Sequence, residues 1–398
     1  MAFAREVVIV DYLRSGFSRS RPKDQEKDQL NTWRMDDLAG KLMSEIVKRT
    51  KINPAEIDEC IVGTSDPYLE TYTGGGRFPV FLGKLPVSIA AQQVDSACAS
   101  SFNGVRTAAM SIACGFADVV FACGIEHMSH VHMPGVGPGT VIPSKLFDDP
   151  EYKYLDPDNI VSMGLTAEKL LSQTSFTRED MDKYAVRSHQ LASKSQKDGY
   201  FKDEIMPVEI TVGGEKQIYD YDACIRADAS VESLMALKPA FKQGGQITAG
   251  NSSPMNAGAT CMLVMSREKA NKLGLKPMAS LVSFGVAGVE PSVMGKGPVP
   301  ATQKALKTAG LKISDIDYFE INEAFSIVAL NAIKELSINI DRVNIHGGAL
   351  AIGHPLGASG VRLIGTLARI LKQEGGTYGC ANMCVGWGQG SACVIKKE

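Results

Sequence analysis

Apolar residues follow two spacings along the chain, and the change from one to the other separates predicted strands from predicted helices. Short apolar runs bounded by glycine, proline or polar residues are typical of buried strands, whereas apolar residues three or four positions apart are typical of amphipathic helices. The runs predict strands at residues 7–10, 60–62, 89–94, 118–123, 262–265, 278–282, 318–321, 378–381 and 391–395. The wider spacing predicts helices at residues 35–49, 105–112, 299–309, 324–335 and 360–373. Because strands and helices alternate, we predict an α/β fold.

The alternation is interrupted between residues 124 and 246. This stretch begins with EHMSHVHMPGVGPG and continues with predicted helices at 165–171 and 178–196 and a predicted strand at 205–212. Long insertions of this kind often carry binding functions. We therefore predict three parts, which are an N-terminal half at 1–123 and 247–268, an inserted loop domain at 124–246, and a C-terminal half at 269–398.

The two predicted halves resemble one another in the order of their motifs. INPAEIDECIVGT early in the chain and LKISDIDYFEINEAF late in the chain share a turn, an Ile-Asp pair and a strand. CASSFNGVR and HPLGASGVR then each open a helix, which places Cys98 and His354 at near-equivalent positions of an internal repeat. Two such halves packed together bring the carboxyl ends of their strands towards one site, where ligands bind in this fold class.

Composition and charge limit the classes of partner. The net charge is −2 over 398 residues and no apolar run reaches transmembrane length, so neither nucleic acid nor a membrane is expected as the main partner. Nine cysteines without scaffold-like spacing fit a reducing compartment. The opening MAFAREVVIV enters a strand directly and lacks the features of a secretory or organellar leader, so we expect a cytoplasmic protein.

Cys98 lies where a predicted strand gives way to a helix. A thiol at a helix N-terminus faces unpaired backbone N–H groups and the positive end of the helix dipole, and both stabilise the thiolate. The thiolate is the form that attacks electrophiles. A buried and inert thiol is the alternative interpretation for any one of nine cysteines.

Three further stretches near predicted strand ends carry candidate chemistry. NEAF contains Asn322, for which two roles are compatible: it holds a water or donates to an oxygen, and it caps a helix from Ala324 onwards. GGALAIGHPLGASG contains His354 in a glycine-dense turn that lets the backbone approach a ligand. CVGWGQG contains Cys384, a thiol followed by glycines whose N–H groups can face an oxyanion.

Metal ligation is the competing interpretation, since Cys and His also bind zinc. No cysteine pair has C-x-x-C spacing, and the cluster of Glu126, His127, His130 and His132 does not form HExxH. We therefore expect no metal and interpret these histidines as packing within a loop. GVGPG at 135–139 is not a dinucleotide fingerprint, and no phosphate-binding loop is present in the sequence.

The sequence resembles the thiolase family over nearly its whole length, through CASS, NEAF, GHPLGASG and CVGWGQG in that order. GIEHMSH, SMGLTAE, PSVMGKGPVPA and MCVGWGQG resemble the versions in degradative bacterial 3-ketoacyl-CoA thiolases. The resemblance implies a thiolase fold, with two halves packed as a five-layered α-β-α-β-α body and a loop domain that binds coenzyme A. It also implies an acyltransferase of fatty-acid β-oxidation that forms a homodimer or homotetramer, with a hydratase–dehydrogenase as a candidate partner.

The resemblance further implies a role for each candidate residue. Cys98 is the nucleophile that attacks the 3-keto carbonyl of 3-ketoacyl-CoA, and His354 accepts its proton. Cys384 protonates the departing acetyl-CoA carbon and then deprotonates a second CoA thiol. One oxyanion site uses His354 and a water held by Asn322, and the other uses the backbone N–H groups of Cys98 and Gly386.

Coenzyme A is implied as a co-substrate, without a tightly bound cofactor. Met163 and Phe325 are expected to line the pantetheine tunnel. From the residues alone, Leu237 and Phe241 could equally be core residues and Ser253 a turn residue. In all, the resemblance implies six further contacts with coenzyme A, namely Arg226, Ser233, Leu237, Phe241, Ala249 and Ser253.

Three departures from the family pattern bear on the site. Asp95 stands where Asn is usual before the nucleophile, and an unpaired charge there tends to raise the pKa of the thiol. Ser162 replaces a histidine of biosynthetic acetoacetyl-CoA thiolases, which favours the degradative branch. Trp387 replaces a small or aliphatic residue, so it either narrows the acyl pocket or packs beside it.

Three alternative functions follow from the same motifs. The nearest is an acetoacetyl-CoA thiolase that works by Claisen condensation. A condensing synthase of the same superfold combines one Cys with two His, or with a His and an Asn, whereas this chain has Cys384 and NEAF. A non-catalytic acyl-CoA-binding or lipid-transfer relative is disfavoured because all four catalytic groups are present.

Overall fold

A computed structural model describes residues 4–131, 142–212 and 214–398. Its strands are β1 (Val7–Arg14), β2 (Ser18–Arg19), β3 (Glu59–Gly63), β4 (Ala90–Val94), β5 (Val119–His127), β6 (Val208–Val212), β7 (Glu215–Tyr219), β8 (Asn256–Ser266), β9 (Ala279–Gly288), β10 (Tyr318–Ile321), β11 (Tyr378–Val385) and β12 (Gln389–Lys397). Its helices are α1 (Met35–Thr50), α2 (Arg77–Leu82), α3 (Ser100–Ala113), α4 (Lys145–Asp148), α5 (Pro157–Ile160), α6 (Met163–Ser172), α7 (Arg178–Lys197), α8 (Val231–Met235), α9 (Arg267–Lys272), α10 (Pro298–Ala309), α11 (Ser326–Glu335) and α12 (Ser359–Glu374).

One mixed sheet contains every strand except β6 and β7, which form a separate hairpin. The order along the sheet is β10-β11-β12-β9-β1-β8-β5-β3-β4, and the short β2 pairs with β8. Strand β1 joins the two halves, because it pairs with β8 along its length and also with β9 through Val7–Ile9. A register shift between Ile9 and Asp11 marks the point where the pairing with β9 ends.

The two half-sheets repeat the same order, which confirms the internal repeat. The N-terminal half runs β4-β3-β5-β8-β1 and the C-terminal half runs β10-β11-β12-β9. A parallel bridge from Val343 to Phe319 occupies the place that β4 has in the first half. Cys98 and His354 thus each follow the outermost segment of their half-sheet. They differ in distance from the helix, since Cys98 lies two residues before α3 and His354 five residues before α12.

The apolar side chains form three main clusters that define the five layers. Residues of α3 and α12 share one cluster with the facing sides of both half-sheets, so these two helices lie between them. The outer face of the N-terminal half-sheet packs against α1, and the outer face of the C-terminal half-sheet packs against α10 and α11. Both faces of most strands are therefore buried, which explains why they are nearly continuous apolar runs in the sequence.

The central helices α3 and α12 approach each other closely. A Cβ atom added at Gly360 would lie 2.1 Å from the backbone nitrogen of Phe102. Likewise, a Cβ atom at Gly63, the last residue of β3, would lie 2.2 Å from the backbone nitrogen of Ser101. Glycine at these two positions lets the helix starts of the two halves meet each other and the strand ends.

The insertion contains α4 to α8 and the β6–β7 hairpin, and one buried ion-pair cluster attaches it to β1. The Arg14 guanidinium is fully buried and donates to Glu204 at 2.8 Å and to Asp222 at 2.7 Å. Strand β5 continues to His127, so the prediction that this histidine packs within a loop was wrong. Among the helices of the described ranges, none combines the length and apolarity needed to cross a membrane.

Candidate active site

Cys98 is presented by a tight turn between β4 and α3. Ala97, the residue before it, has a φ of 47°, a left-handed conformation that is unusual for a residue with a Cβ atom. The thiol is 8% exposed, and the backbone N–H groups of Gly386 and of Cys98 itself donate towards its sulfur. Because Gly386 belongs to the turn after β11, the nucleophile candidate of one half contacts the backbone of the other.

Backbone N–H groups favour the thiolate of Cys98, as expected for a helix start, but burial opposes them in the free protein. Burial raises the pKa of the thiol to about 11, and the charges of Glu126 and Asp66 add to the rise. The two backbone N–H groups lower the pKa, but by less than burial raises it. The thiol form is therefore favoured at neutral pH. Covering of this turn by the second half could not be foreseen from the local sequence.

Asp95 caps the same turn. Its Oδ1 atom accepts a hydrogen bond of 3.0 Å from the backbone N–H of Ala97, and its side chain is exposed. Burial raises the pKa of Asp66 to about 6, and the charge of Asp95 adds to that rise. Besides burial, the charges of Glu126 and Asp66 raise the pKa of Cys98, so the acidic surroundings of the nucleophile extend beyond the position singled out in the sequence.

Cys384 lies near the end of β11 and approaches Cys98 from the other half. It is 1% exposed, and both burial and the neighbouring Cys98 raise the pKa of its thiol. The following turn contains Gly386, Trp387 and Gly388, and Trp387 has a φ of 65° with 39% of its surface exposed. Two thiols from different halves thus share one buried space beside a strained turn.

His354 and Asn322 of the C-terminal half form a hydrogen-bonded pair. The Nδ2 atom of Asn322 lies 3.2 Å from Nε2 of His354. Burial and the charge of Arg362 lower the pKa of His354 to about 3, so the imidazole is neutral at physiological pH. The second role expected of Asn322, as a helix cap, is wrong, because α11 begins only at Ser326.

Hydrogen bonds to the imidazole indicate which of its nitrogens carries the proton. Nδ1 of His354 lies 2.5 Å from Oγ of Ser359, and that hydroxyl donates to the carbonyl of Pro355 at 2.9 Å. Since the hydroxyl proton is used by Pro355, Nδ1 donates to Ser359 and Nε2 is left as the acceptor. The amide of Asn322 then donates to the unprotonated Nε2, which is the basic nitrogen of the ring.

Two residues that the sequence did not single out hold the loop before His354. Asn256 accepts the backbone N–H of His354 at 2.8 Å through Oδ1. Glu323 accepts the N–H of Leu350 at 3.1 Å and the hydroxyl of Ser188 at 2.7 Å. Glu323 was visible as part of NEAF, whereas Asn256 lies 98 residues from its partner and no local pattern marks it.

Several residues expected to contact coenzyme A lie on an exposed surface around α8. The segment at 249–250 packs against that helix, because a Cβ atom at Gly250 would lie 2.8 Å from side-chain atoms of Leu234 and Leu237. Leu237 is half-buried and Phe241 is exposed, so neither is a plain core residue, and Ser253 is half-buried. Exposed members of the set are Arg226, Ser233, Phe241 and Ala249.

A line of contacts connects this surface with the thiols. The rings of Phe241 and Phe325 meet edge to face with centroids 6.0 Å apart. A Cβ atom at Gly164 would lie 2.1 Å from the ring of Phe241, so a larger residue there would displace that ring. The neighbouring Met163 has its sulfur 3.7 Å from the position that a Cβ atom would take at Gly386. The residues expected to line the tunnel thus lie between the surface around α8 and the turn beside Cys98.

The histidines weighed as metal ligands form a hydrogen-bonded cluster. Nδ1 of His130 lies 3.1 Å from Oε1 of Glu70 and its Nε2 lies 2.9 Å from Oδ1 of Asn31. The rings of His127 and His130 stack with centroids 3.6 Å apart and 10° between their planes. Parallel stacked rings cannot both aim in-plane lone pairs at one ion, although the donor atoms of the three residues are close. His132 and the GVGPG motif lie outside the described residues.

Comparison with known proteins agrees with this geometry. The thiolase N-terminal domain model matches residues 7–268, and the thiolase C-terminal domain model matches residues 275–397. The crystal structure of the Bacillus anthracis acetyl-CoA acetyltransferase is similar, with a TM-score of 0.87, 34% identity and full coverage of both chains.

Human mitochondrial 3-ketoacyl-CoA thiolase is similar to the same degree. Its crystal structure gives a TM-score of 0.88 with 33% identity and full coverage of both chains. Its complex with CoA gives a TM-score of 0.87 with 32% identity and covers 100% of this chain and 99% of that one. Both domain models and whole-length structural similarity point the same way, and the chain belongs to the thiolase family of acyltransferases.

Proposed function

We propose that this thiolase is a 3-ketoacyl-CoA thiolase, which uses CoA to cleave 3-ketoacyl-CoA into acetyl-CoA and a shortened acyl-CoA. One observation carries the proposal. Cys98 and Cys384 come from different halves, and Cys98 is close enough to raise the pKa of the Cys384 thiol, while the imidazole of His354 is neutral and accepts at Nε2. Cleavage through an acyl-cysteine needs a nucleophile and a separate carbon acid–base, and two thiols with a histidine supply both.

In the first half of the proposed reaction, the sulfur of Cys98 attacks C3 of the substrate while its proton passes to Nε2 of His354. The C2–C3 bond then breaks, which leaves the shortened acyl group on Cys98 and the enolate of acetyl-CoA. The imidazolium of His354, with a water held by Asn322, stabilises the enolate oxygen. The thiol of Cys384 gives its proton to C2, and acetyl-CoA is complete.

In the second half, the Cys384 thiolate takes the proton of a second CoA thiol. The CoA sulfur attacks the acyl carbonyl on Cys98, and the developing oxyanion accepts hydrogen bonds from the N–H groups of Cys98 and Gly386. These two N–H groups already converge on the Cys98 sulfur in the free protein. Cys98 leaves as a thiolate and recovers its proton from His354. Run in reverse, the same steps make a Claisen condensation.

Coenzyme A is the proposed co-substrate, held by the surface around α8 and by the line of contacts from Phe241 to Gly386. A related human thiolase was crystallised in complex with CoA, and it matches this chain over its whole length. In the proposal, Met163 and Phe325 border the pantetheine arm. The exposed residues Arg226, Ser233 and Ala249 contact the outer part of the molecule.

An acetoacetyl-CoA thiolase is the second candidate, because the Bacillus anthracis acetyl-CoA acetyltransferase is as similar as the human 3-ketoacyl-CoA thiolase. Steady-state thiolysis of acetoacetyl-CoA and of a medium-chain 3-ketoacyl-CoA distinguishes the two. Comparable or higher kcat/KM with the medium-chain substrate supports the proposal. A strong preference for the four-carbon substrate favours the second candidate.

The non-catalytic alternative is tested with the nucleophile. Cys98→Ala should abolish thiolysis and the trapping of an acyl-enzyme by mass spectrometry. If the unaltered protein cleaves no 3-ketoacyl-CoA, and Cys98→Ala leaves its affinity for CoA esters unchanged, a binding or lipid-transfer role becomes the better explanation.

The same proposal extends to cellular context. We place the protein in the cytoplasm, in β-oxidation or a related acyl degradation, as a homodimer or homotetramer with a hydratase–dehydrogenase as candidate partner. Light scattering of the purified protein measures the oligomer. Co-purification with a hydratase–dehydrogenase from the native host tests the partner.

A further inference from the structure

Glu126 is a buried carboxylate at the end of β5 with no part in the chemistry proposed above. It is 2% exposed, and a single oxygen, Oε2, accepts three hydrogen bonds. Two come from Ser65, from the backbone N–H at 3.0 Å and the hydroxyl at 2.6 Å. The third comes from the backbone N–H of Gly357 at 2.9 Å. Ser65 belongs to the half that carries Cys98, whereas Gly357 follows His354 by three residues in the other half.

The backbone around Gly357 is pressed directly against the first half. A Cβ atom at Gly357 would lie 2.4 Å from the carbonyl oxygen of Ile125 and 2.6 Å from Cα of Thr64. A Cβ atom at Gly124 would lie 2.5 Å from the carbonyl oxygen of Gly357. The turn therefore rests on the ends of β3 and β5 with no side chain between them, and Glu126 supplies its hydrogen bond at that contact.

This contact controls how the two catalytic candidates face each other. The ring of His354 is held from its own half by Asn322 and Ser359, and its backbone N–H is held from the first half by Asn256. Cys98 is fixed to the other half by the start of α3. Their relative position therefore depends on where the turn from His354 to Gly357 meets the first half, and Asn256 and Glu126 hydrogen-bond its two ends.

We propose that Glu126 is a positioning residue that holds the turn beginning at His354 against the half that carries Cys98, so that Nε2 of His354 stays within reach of the thiol. This inference rests on the proposed function, because it assumes that His354 takes the proton of Cys98. Glu126 acts through His354 and touches neither substrate nor the reacting atoms.

The negative charge of Glu126 disfavours the Cys98 thiolate. A positioning role of Glu126 can therefore be distinguished from an electrostatic one. Burial raises the pKa of Glu126 to about 7, with Asp66 contributing, while Ser65 and Gly357 lower it. When ionised, the carboxylate adds to the rise that burial causes in the pKa of Cys98, as Asp66 does. A neutral side chain of the same shape that still offers an acceptor oxygen to Gly357 should therefore preserve the positioning role. Glutamine meets both conditions.

The test compares Glu126→Ala, Glu126→Gln, His354→Ala and the double variant Glu126→Ala/His354→Ala in steady-state thiolysis. Glu126→Ala should lower kcat about 10²-fold, as expected for a misplaced catalytic group, with KM for CoA within about twofold. Glu126→Gln should restore kcat to within about fivefold of the unaltered enzyme. The double variant should be no slower than His354→Ala, because both changes disable the same proton transfer. Ser65→Ala, which removes a hydrogen bond to the same carboxylate on the Cys98 side only, is the matched control and should stay within about fivefold.

Other outcomes contradict the inference or the role of His354 on which it rests. Unchanged kcat in Glu126→Ala overturns the inference, and so does a double variant slower than His354→Ala by the full factor of Glu126→Ala. A His354→Ala variant with unaltered kcat overturns the proposed role of His354, and the inference with it. If Glu126→Ala does not fold, Glu126→Asp withdraws the carboxylate by one methylene and should lower kcat about tenfold. Unaltered kcat in that variant counts against the inference.

Discussion

The side-chain nitrogen of Asn322 lies 3.2 Å from Nε2 of His354, and this contact joins two segments that are 32 residues apart. Asn322 follows β10, and its backbone N–H donates to the carbonyl of Asn382 in β11 at 2.9 Å. Oγ of Ser359 contacts Nδ1 of the imidazole, and this contact keeps the ring proton on Nδ1. The end of β10 therefore positions the amide of Asn322, and that amide contacts Nε2, the basic nitrogen of His354.

Asn322→Ala should lower kcat for thiolysis by about 10²- to 10³-fold, because an oxyanion site loses its preorganised donor. Exchange of the methyl protons of acetyl-CoA in D2O reports formation of the enolate alone and should fall by a similar factor. Asn331→Ala is the matched control, since Asn331 is also a buried asparagine of the same half, on α11. Normal proton exchange in Asn322→Ala would remove Asn322 from the enolate site.

Alkylation of Cys98 by iodoacetamide in the free enzyme should accelerate about tenfold per pH unit from pH 7 to 10. A thiol with its pKa raised to about 11 has a thiolate fraction that is still growing over this range, and the thiolate is the reactive form. Mass spectrometry of the modified Cys98 peptide measures the rate, in a Cys114→Ser background because Cys114 is exposed. A plateau below pH 8 would mean that the resting enzyme already holds a thiolate.

Gly164→Ala should raise KM for CoA by roughly tenfold, at 1 to 2 kcal/mol of binding free energy, while kcat changes little. The added Cβ atom would meet the ring of Phe241 at 2.1 Å and push it away from Phe325. Gly104→Ala, also within a helix, is the control, because a Cβ atom there meets only Ile61 at 3.5 Å. Equal effects of the two variants on KM would contradict the predicted CoA tunnel.

Trp387→Gly should widen the range of acyl groups that are cleaved. Trp387 has a φ of 65°, which costs a residue with a Cβ atom on the order of 1 kcal/mol and which glycine adopts freely. Trp387 directly follows Gly386, whose N–H group donates towards the Cys98 sulfur. A bulky side chain kept in a strained turn so close to the nucleophile is expected to border the acyl pocket, and glycine there should admit longer or bulkier chains.

Thiolysis rates measured across a series of acyl chain lengths, for Trp387→Gly and for the unaltered enzyme, test this prediction. An unchanged chain-length profile would show that Trp387 only packs beside the pocket. The strain argument has its own readout, because relief of the positive φ should keep the thermal midpoint of Trp387→Gly at or above that of the unaltered enzyme.

The sequence predicts those features that depend on neighbouring residues alone, namely the strands, the helices and the motifs at their ends. Cys98, His354, Cys384 and Asn322 stand in distinctive motifs near predicted strand ends, which is why the sequence nominates them, and their catalytic roles belong to the proposal. The predicted strands and helices were recovered, mostly as shorter versions of the observed elements, because both faces of the strands are buried and the apolar runs are clear.

The remainder depends on contacts between distant parts of the chain. Glu126 meets Gly357 across 231 residues, and Asn256 meets His354 across 98. Neither pairing leaves a periodic signal. The pKa of Cys98 follows the same rule, since burial raises it by more than the backbone N–H groups lower it.

Strand β1 has a consequence for how the protein is made. Its partners β8 and β9 begin at Asn256 and Ala279, so β1 cannot be paired until some 250 further residues have been synthesised. At about 5–20 residues per second, that interval is on the order of ten seconds or more. During it, a mostly apolar strand waits with both edges open. We therefore expect residues 7–14 to be the segment most in need of protection from aggregation while the chain is being made.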